Sequence, residues 1–151
     1  MRYCLDTGVF IRAWRESYPP DVFPTFWTTF EQFIEDGEVG SPQVVLEELS
    51  KKDDELHKWA KARKGLFQPL KEDIQTAVSE ILEKFPRMME EGRDRNTADP
   101  FVVAMAKVRG LTVVTTERSG SKKPKIPDVC QHFGIQSLGL VGLLRELKWT
   151  F

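Results

Sequence analysis

Four acidic residues stand where chemistry could gather. Asp6 closes the apolar run Arg2 to Leu5, and Glu48 lies on the helical stretch after the short run Val39-Gly40-Ser41. Asp99 stands before Pro100 at the head of an apolar stretch, and Glu117 follows the β-branched run Leu111 to Thr115. If those runs are neighbouring parallel strands, Asp6 and Glu117 share the edge outside the strands' carboxyl ends, where ligands bind in open α/β sheets. Glu48 and Asp99 approach that edge from the adjoining helices. Carboxylates at short range oppose one another's ionisation. A hard divalent cation relieves that repulsion, and Mg²⁺ or Mn²⁺ suits a site of carboxylates and waters. Such an ion activates water and offsets phosphate charge, so the chemistry in view is metal-assisted phosphodiester hydrolysis.

Each of the four also has a plainer use. Asp6-Thr7-Gly8 reads as a turn and helix cap, and Asp99 as a cap with proline at the first helical position. Glu48 beside Glu47 reads as solvated helix surface, and Glu117 as part of a polar loop. Their joint placement carries the functional reading. His57 and His132 lack partners at zinc spacing, which sets a zinc site aside.

The elements that must position these residues follow from periodicity. Arg2 to Leu5 predicts a strand, and Val9, Phe10, Ala13 and Trp14 recur on one face of a helix that Pro19-Pro20 breaks. Phe23 to Asp36 is a second helix with an aromatic stripe, read as core, with an interface to a second copy of the chain as its alternative use. Val39-Gly40-Ser41 predicts a second strand, with Ser41 as cap and Pro42 as first residue of the next helix. Polar Lys51 to Asp54 separates that helix from another bearing Leu56, Trp59 and Ala60. Leu66 to Leu70 is a third strand, placed at the sheet edge by Pro69. Ile74, Ala77, Val78, Ile81 and Leu82 mark an amphipathic helix ended by Pro86, and Glu90 to Thr97 reads as a loop. A helix over Phe101 to Val108, a strand over Leu111 to Thr115, a short helix near Asp128 to Phe133, a strand at Ile135 to Leu138 and a helix at Val141 to Leu147 complete the chain. Strands alternating with helices imply an α/β fold with a mainly parallel sheet covered on both faces.

Bulk properties narrow the partners. A chain of 151 residues suits one compact domain spanning residues 1–151. The formal net charge of -1 requires any nucleic-acid affinity to come from a local patch. Cys4 and Cys130 read as two reduced thiols, which fits a cytoplasmic setting. No apolar stretch approaches membrane-spanning length, and Met1 to Asp6 reads as the start of a strand, not as a signal peptide.

The motifs resemble those of the PIN domain family over nearly the whole chain. Tyr3-Cys4-Leu5-Asp6-Thr7-Gly8-Val9 is similar to the family's strand, Asp-Thr-Asn and apolar helix start, and Val44-Val45-Leu46-Glu47-Glu48-Leu49 resembles its second motif, favouring Glu48 over Glu47. Thr97-Ala98-Asp99-Pro100 with the small-residue helix behind it is similar to the third, and Val113-Val114-Thr115-Thr116-Glu117 to the fourth. Two positions depart: Gly8 stands where the family often has Asn, and Glu117 where Asp is commoner. The longer Glu117 side chain reaches a metal through water or belongs to its outer shell. Glu117 and the tail Lys123 to Cys130 resemble one branch, a domain of unknown function numbered 4411, related to VapC-type toxins. The resemblance implies a three-layer α/β/α fold with five parallel strands in order 3-2-1-4-5, divalent-metal ribonuclease activity, and often a toxin role with a cognate antitoxin protein. It carries Asp6, Glu48, Asp99 and Glu117 as catalytic residues, with Asp6, Asp99 and Glu117 at the metal. No organic cofactor is implied.

A basic loop follows the fourth acidic residue. Arg118, Lys122, Lys123 and Lys125, with Thr115 at its root, could hold an RNA backbone; a solvated loop is the alternative. Lys51, Lys52, Lys58, Lys61, Arg63 and Lys64 read as an ordinary solvated helix face. Two rival functions remain in view. A haloacid dehalogenase-type phosphatase needs a second aspartate two positions after the first, where this chain has Gly8. A PIN-like module without catalysis would act as a binding partner and need not take Mn²⁺.

Overall fold

The computed structural model describes residues 1–89, 98–119 and 124–151. Five strands, β1 (Tyr3–Leu5), β2 (Val39–Pro42), β3 (Phe67–Gln68), β4 (Thr112–Val114) and β5 (Ser137–Leu138), form one sheet in the order β3-β2-β1-β4-β5. Every pairing is parallel. Tyr3 sits opposite Val39 on one side and Thr112 on the other. The three central strands are largely buried, as parallel pairing demands, and each is only three to four residues long.

Helices cover both faces. Along β1 the side chains alternate, so Tyr3 packs its ring 5.9 Å from Phe33 on one side while Cys4 Sγ donates to the Val102 carbonyl on the other. The second face carries α6 (Asp99–Arg109), flanked by α5 (Glu72–Lys84) and α7 (Ile126–His132). The first carries α1 (Thr7–Arg12), α2 (Pro24–Glu35) and α8 (Leu140–Leu147), whose apolar residues meet those of β1. The remaining helices, α3 (Gln43–Lys52) and α4 (Asp54–Lys61), link β2 to β3. Gly110 ends α6 at φ 68°, a left-handed conformation that glycine adopts without strain. The aromatic stripe of α2 is core: Phe26, Trp27, Phe30 and Phe33 are buried within the chain against Trp59 and Trp149. Among the described residues no helix is long and apolar enough to cross a membrane.

Several local expectations change. Ser41 does not cap α3; it is fully buried in β2 and its hydroxyl donates to the Leu5 carbonyl at 2.7 Å, while Pro42 stays in the strand. A buried hydroxyl at mid-sheet bonds the nearest free carbonyl, which here belongs to the neighbouring strand. The polar stretch after α3 is no loop: α3 runs through Lys52, and Asp53 accepts from Leu56 N as the cap of α4. After α1 the chain widens into a π-helical turn, Ala13–Ser17, where a regular helix is expected. The loop expected over residues 90–97 lies outside the described residues.

Candidate functional site

Asp6 follows β1 directly, and its backbone N–H donates to Val114 O at 3.0 Å, extending the register between β1 and β4. That register sets Asp6 beside Thr115 at the carboxyl ends of both strands. Asp6 is 4% exposed and fully engaged. One oxygen accepts from Val9 N at 2.9 Å, capping α1, and the other accepts a short hydrogen bond from the Thr115 hydroxyl. The Thr116 N–H adds a further bond. Burial nevertheless pushes the Asp6 carboxyl up to about 7, against the pull of these donors and with help from the Glu117 charge.

Gly8 has a steric reason to lack a side chain. A Cβ there would stand 2.5 Å from the Thr116 hydroxyl oxygen and 3.5 Å from Asp6 Oδ1. The polar group an asparagine would bring is thus replaced by Thr116, whose hydroxyl occupies the space beside Asp6. Thr7, next to Asp6 in the chain, has a buried hydroxyl oxygen with no hydrogen-bond partner among the described residues.

Glu48 and Asp99 are linked through the start of α6. Glu48 is 9% exposed while Glu47 is exposed, and Glu48 Oε1 accepts from Ala98 N at 2.7 Å. Ala98, not Asp99, is the N-cap of α6, and it supplies no side-chain cap bond. The cap comes instead from Glu48, a residue of another helix, so the expected capping role of Asp99 is corrected. Asp99 is the first helical residue, and its carboxyl hydrogen-bonds that of Glu117. Burial, this hydrogen bond, and the charges of Glu117, Asp6 and Glu48 hold Asp99 well above the usual carboxylate range.

Glu117 is half-buried; its N–H donates to Thr115 Oγ1 at 3.0 Å and its Oε2 accepts weakly from Ile126 N at 3.4 Å. Thr115 therefore bridges the two acidic segments: 3% exposed, it commits its hydroxyl to Asp6 and to the Glu117 backbone. Arg118 is exposed, and Lys125 is half-buried, its N–H donating to Asp128 at the start of α7. Lys122 and Lys123 lie outside the described residues. Asp99 is thus within electrostatic reach of the other three acidic residues, and Asp6 of Glu117. Among the described residues no three His, Cys, Asp or Glu side chains converge tightly enough to chelate an ion as they stand. The oxygens of Asp6, Glu48 and Glu117 accept instead from backbone N–H groups and the Thr115 hydroxyl. Thr116 and Ala98 escaped sequence reasoning; the side-chain-free Gly8 was the one signal that something else fills the space beside Asp6.

An all-parallel α/β sheet with acidic residues gathered at its carboxyl edge defines the class. The chain belongs to the family described as domain of unknown function DUF4411, whose model matches residues 3–151. Its fold is similar to that of a chain in the crystal structure of VapBC2 from Rickettsia felis bound to a DNA fragment from their promoter. The TM-score is 0.53 at 15% identity, covering 92% of this chain and 98% of that chain, so the likeness is one of fold. No curated protein matches the chain.

Proposed function

We propose that residues 1–151 form one PIN-like nuclease domain that hydrolyses RNA phosphodiester bonds with Mg²⁺ or Mn²⁺. The observation that carries this reading is the meeting of Asp6, Asp99, Glu117 and Glu48 near the carboxyl ends of β1 and β4, with the Asp99 carboxyl hydrogen-bonded to that of Glu117. The donor set fits the ion: oxygen ligands only, with more potential negative charge than the site can carry unaided. Asp6, Asp99 and Glu117 would hold it. Bound there, a divalent ion supplies Lewis-acid activation of water and neutralises phosphate charge. The chain's own residues do the positioning. Thr115 and the N–H groups of Val9 and Thr116 fix the Asp6 carboxylate, and Glu48 fixes the start of α6 and with it Asp99. Arg118, Lys122, Lys123 and Lys125 hold the RNA backbone. The fold likeness to a chain of VapBC2 supports a toxin role with an antitoxin partner. The two free, buried cysteines suit the reducing cytoplasm.

The deciding experiment measures cleavage of structured and single-stranded RNA with Mn²⁺, comparing wild type with Asp6→Asn and Asp99→Asn. Wild-type cleavage that chelator abolishes, and that both variants lose while staying folded, is the expected result. Retained activity in Asp99→Asn sinks the assignment. Mn²⁺ binding by calorimetry separates the nuclease from a non-catalytic PIN-like module, which need not take the ion.

A further inference from the structure

The cleft beside Glu117 has walls that the carboxylate cluster does not use. It is open, about 470 Å³, and is lined by Arg12 and Ser17 from the first helical segment, Glu117 and Arg118 after β4, and Gly139 at the start of α8. Two arginines from distant parts of the chain therefore line one cleft that adjoins the acidic cluster through Glu117. Neither has a strong ion-pair partner among the described residues. Arg12 meets Glu16 at 3.7 Å with both side chains more than half exposed, a contact that contributes little. Arg118 makes no ion pair among the described residues.

The backbone is shaped around the same cleft. The π-helical turn Ala13–Ser17 begins just after Arg12 and ends on Ser17, so two cleft residues bracket the irregularity. Such turns are costly and recur at functional sites. Arg15, within the turn, reaches the other way and donates to Asp53 at 2.8 Å, which anchors the turn and leaves Arg12 on the cleft side. Across the cleft, the N-terminus of α8 has no side-chain cap and no acidic residue in its first turn. The N–H groups of its first turn, which have no partner within the helix, add positive potential to that of the two arginines.

We propose that this cleft seats the backbone phosphate next to the scissile one in single-stranded RNA, with Arg12 and Arg118 as its cationic ligands and the first turn of α8 as a supplementary donor. The naming of that phosphate rests on the nuclease reading above; the seat itself does not. A volume of this size accommodates a group of about one nucleotide. Arginine suits the task because its planar fork pairs with phosphate oxygens through two hydrogen bonds. Glu117 in the same cleft repels a phosphate from the acidic side and so favours the arginine side.

Binding of a fluorescently labelled single-stranded RNA, followed by anisotropy across a salt series in chelator, tests this without any cleavage. Each phosphate contact to a single strand contributes about 0.7 to the slope of log affinity against log salt. The pair Arg12→Gln, Arg118→Gln is therefore expected to flatten the slope by about 1.4, while Arg12→Lys, Arg118→Lys keeps it near wild type. An unchanged slope in the Gln pair, or no RNA binding by the wild-type chain, overturns the seat. A slope lost equally in the Lys pair also overturns it, because that result reports altered structure and not lost charge. Cleavage is scored separately with Mn²⁺. A flattened slope in a chain that never cleaves supports the seat and removes the nuclease reading, whereas wild-type cleavage with an unchanged slope does the reverse.

Discussion

The interior is filled in two opposite ways. On the α2 face, Trp14, Trp27 and Trp59 pack with Phe26 and Phe30 at ring-centroid separations of 4.9–6.0 Å. Their polar edges are satisfied, since Trp27 Nε1 donates to the Tyr18 carbonyl at 2.6 Å and Trp59 Nε1 to Glu31 at 2.9 Å. At the carboxyl ends of β1 and β4, the same sheet buries acidic groups against one another. The first kind of burial removes apolar area from water and stabilises the fold. The second costs stability, and only something that binds there repays it. The contrast teaches that the acidic edge is held in place by the rest of the molecule, so the two regions should respond oppositely to substitution.

The largest effect is expected on the aromatic face. Trp27 is 5% exposed and touches four other rings, so Trp27→Ala should lower the unfolding free energy by about 3–5 kcal/mol, read from urea midpoints. A loss below about 1 kcal/mol would mean that this face is not the main source of stability, and the contrast would fail.

A smaller loss tests the packing around Asp6. Gly8→Ala places a methyl 2.5 Å from the Thr116 hydroxyl oxygen, and the overpacking should cost about 1–3 kcal/mol. Thr116→Ala removes that oxygen, leaving no clash at Gly8→Ala. The double variant should therefore recover most of the loss, a favourable coupling in a double-mutant cycle. Additive losses would show that Thr116 is not what excludes a side chain there.

At the acidic edge the sign reverses. Asp6, at about 7, and Asp99, higher still than an ordinary carboxyl, hold their protons more tightly in the folded chain than in the unfolded one. The folded state binds more protons above the unfolded value of 3.8, so stability in chelator should fall as pH rises from about 4 toward neutrality and beyond. Asp99→Asn removes one such group. The variant should be more stable than wild type at pH 8 and converge with it below about pH 3, where the wild-type residue is protonated in both the folded and the unfolded chain. Mn²⁺ should then raise the midpoint of wild type and not that of the variant. A variant less stable than wild type at pH 8 would make Asp99 a structural residue.

Sequence carried the sheet further than it carried the side chains. The strands were legible because each apolar run ends in a turn signal, and the resemblance supplied their order. Asp6 as a cap was legible because its partner, Val9 N, lies three residues away. The cap of α6 was not, because Glu48 reaches it from 50 residues upstream, a contact that only the folded chain creates. Ser41 misled for the same reason: its bond crosses to Leu5 on the neighbouring strand. The π-helical turn left no trace, since a five-residue widening barely disturbs the apolar spacing of Phe10, Ala13 and Trp14. Arg12 and Ser17 therefore went unnoticed until the turn placed both on the cleft.

The smallest expected effect separates two adjacent glutamates. Neighbouring helix residues point about 100° apart, so Glu47 and Glu48 cannot both turn inward. Glu47 is exposed, whereas Glu48 is 9% exposed with Oε1 on Ala98 N. Glu48→Gln keeps an amide oxygen that can accept the same bond but loses its charge, and a charge-assisted bond at a helix N-terminus exceeds a neutral one by about 1 kcal/mol. Relief of repulsion with Asp99 offsets part of that loss, so the net change in stability should be a fraction of it. Cleavage should suffer more than stability, because the start of α6 sets where Asp99 points. Glu47→Gln should change neither, staying within about 0.5 kcal/mol as surface substitutions do. Parallel urea titrations and Mn²⁺-dependent cleavage of RNA by the two variants decide it. If Glu47→Gln is inactive while Glu48→Gln cleaves normally, the buried carboxylate serves only the fold, and the acidic edge loses one of its four members.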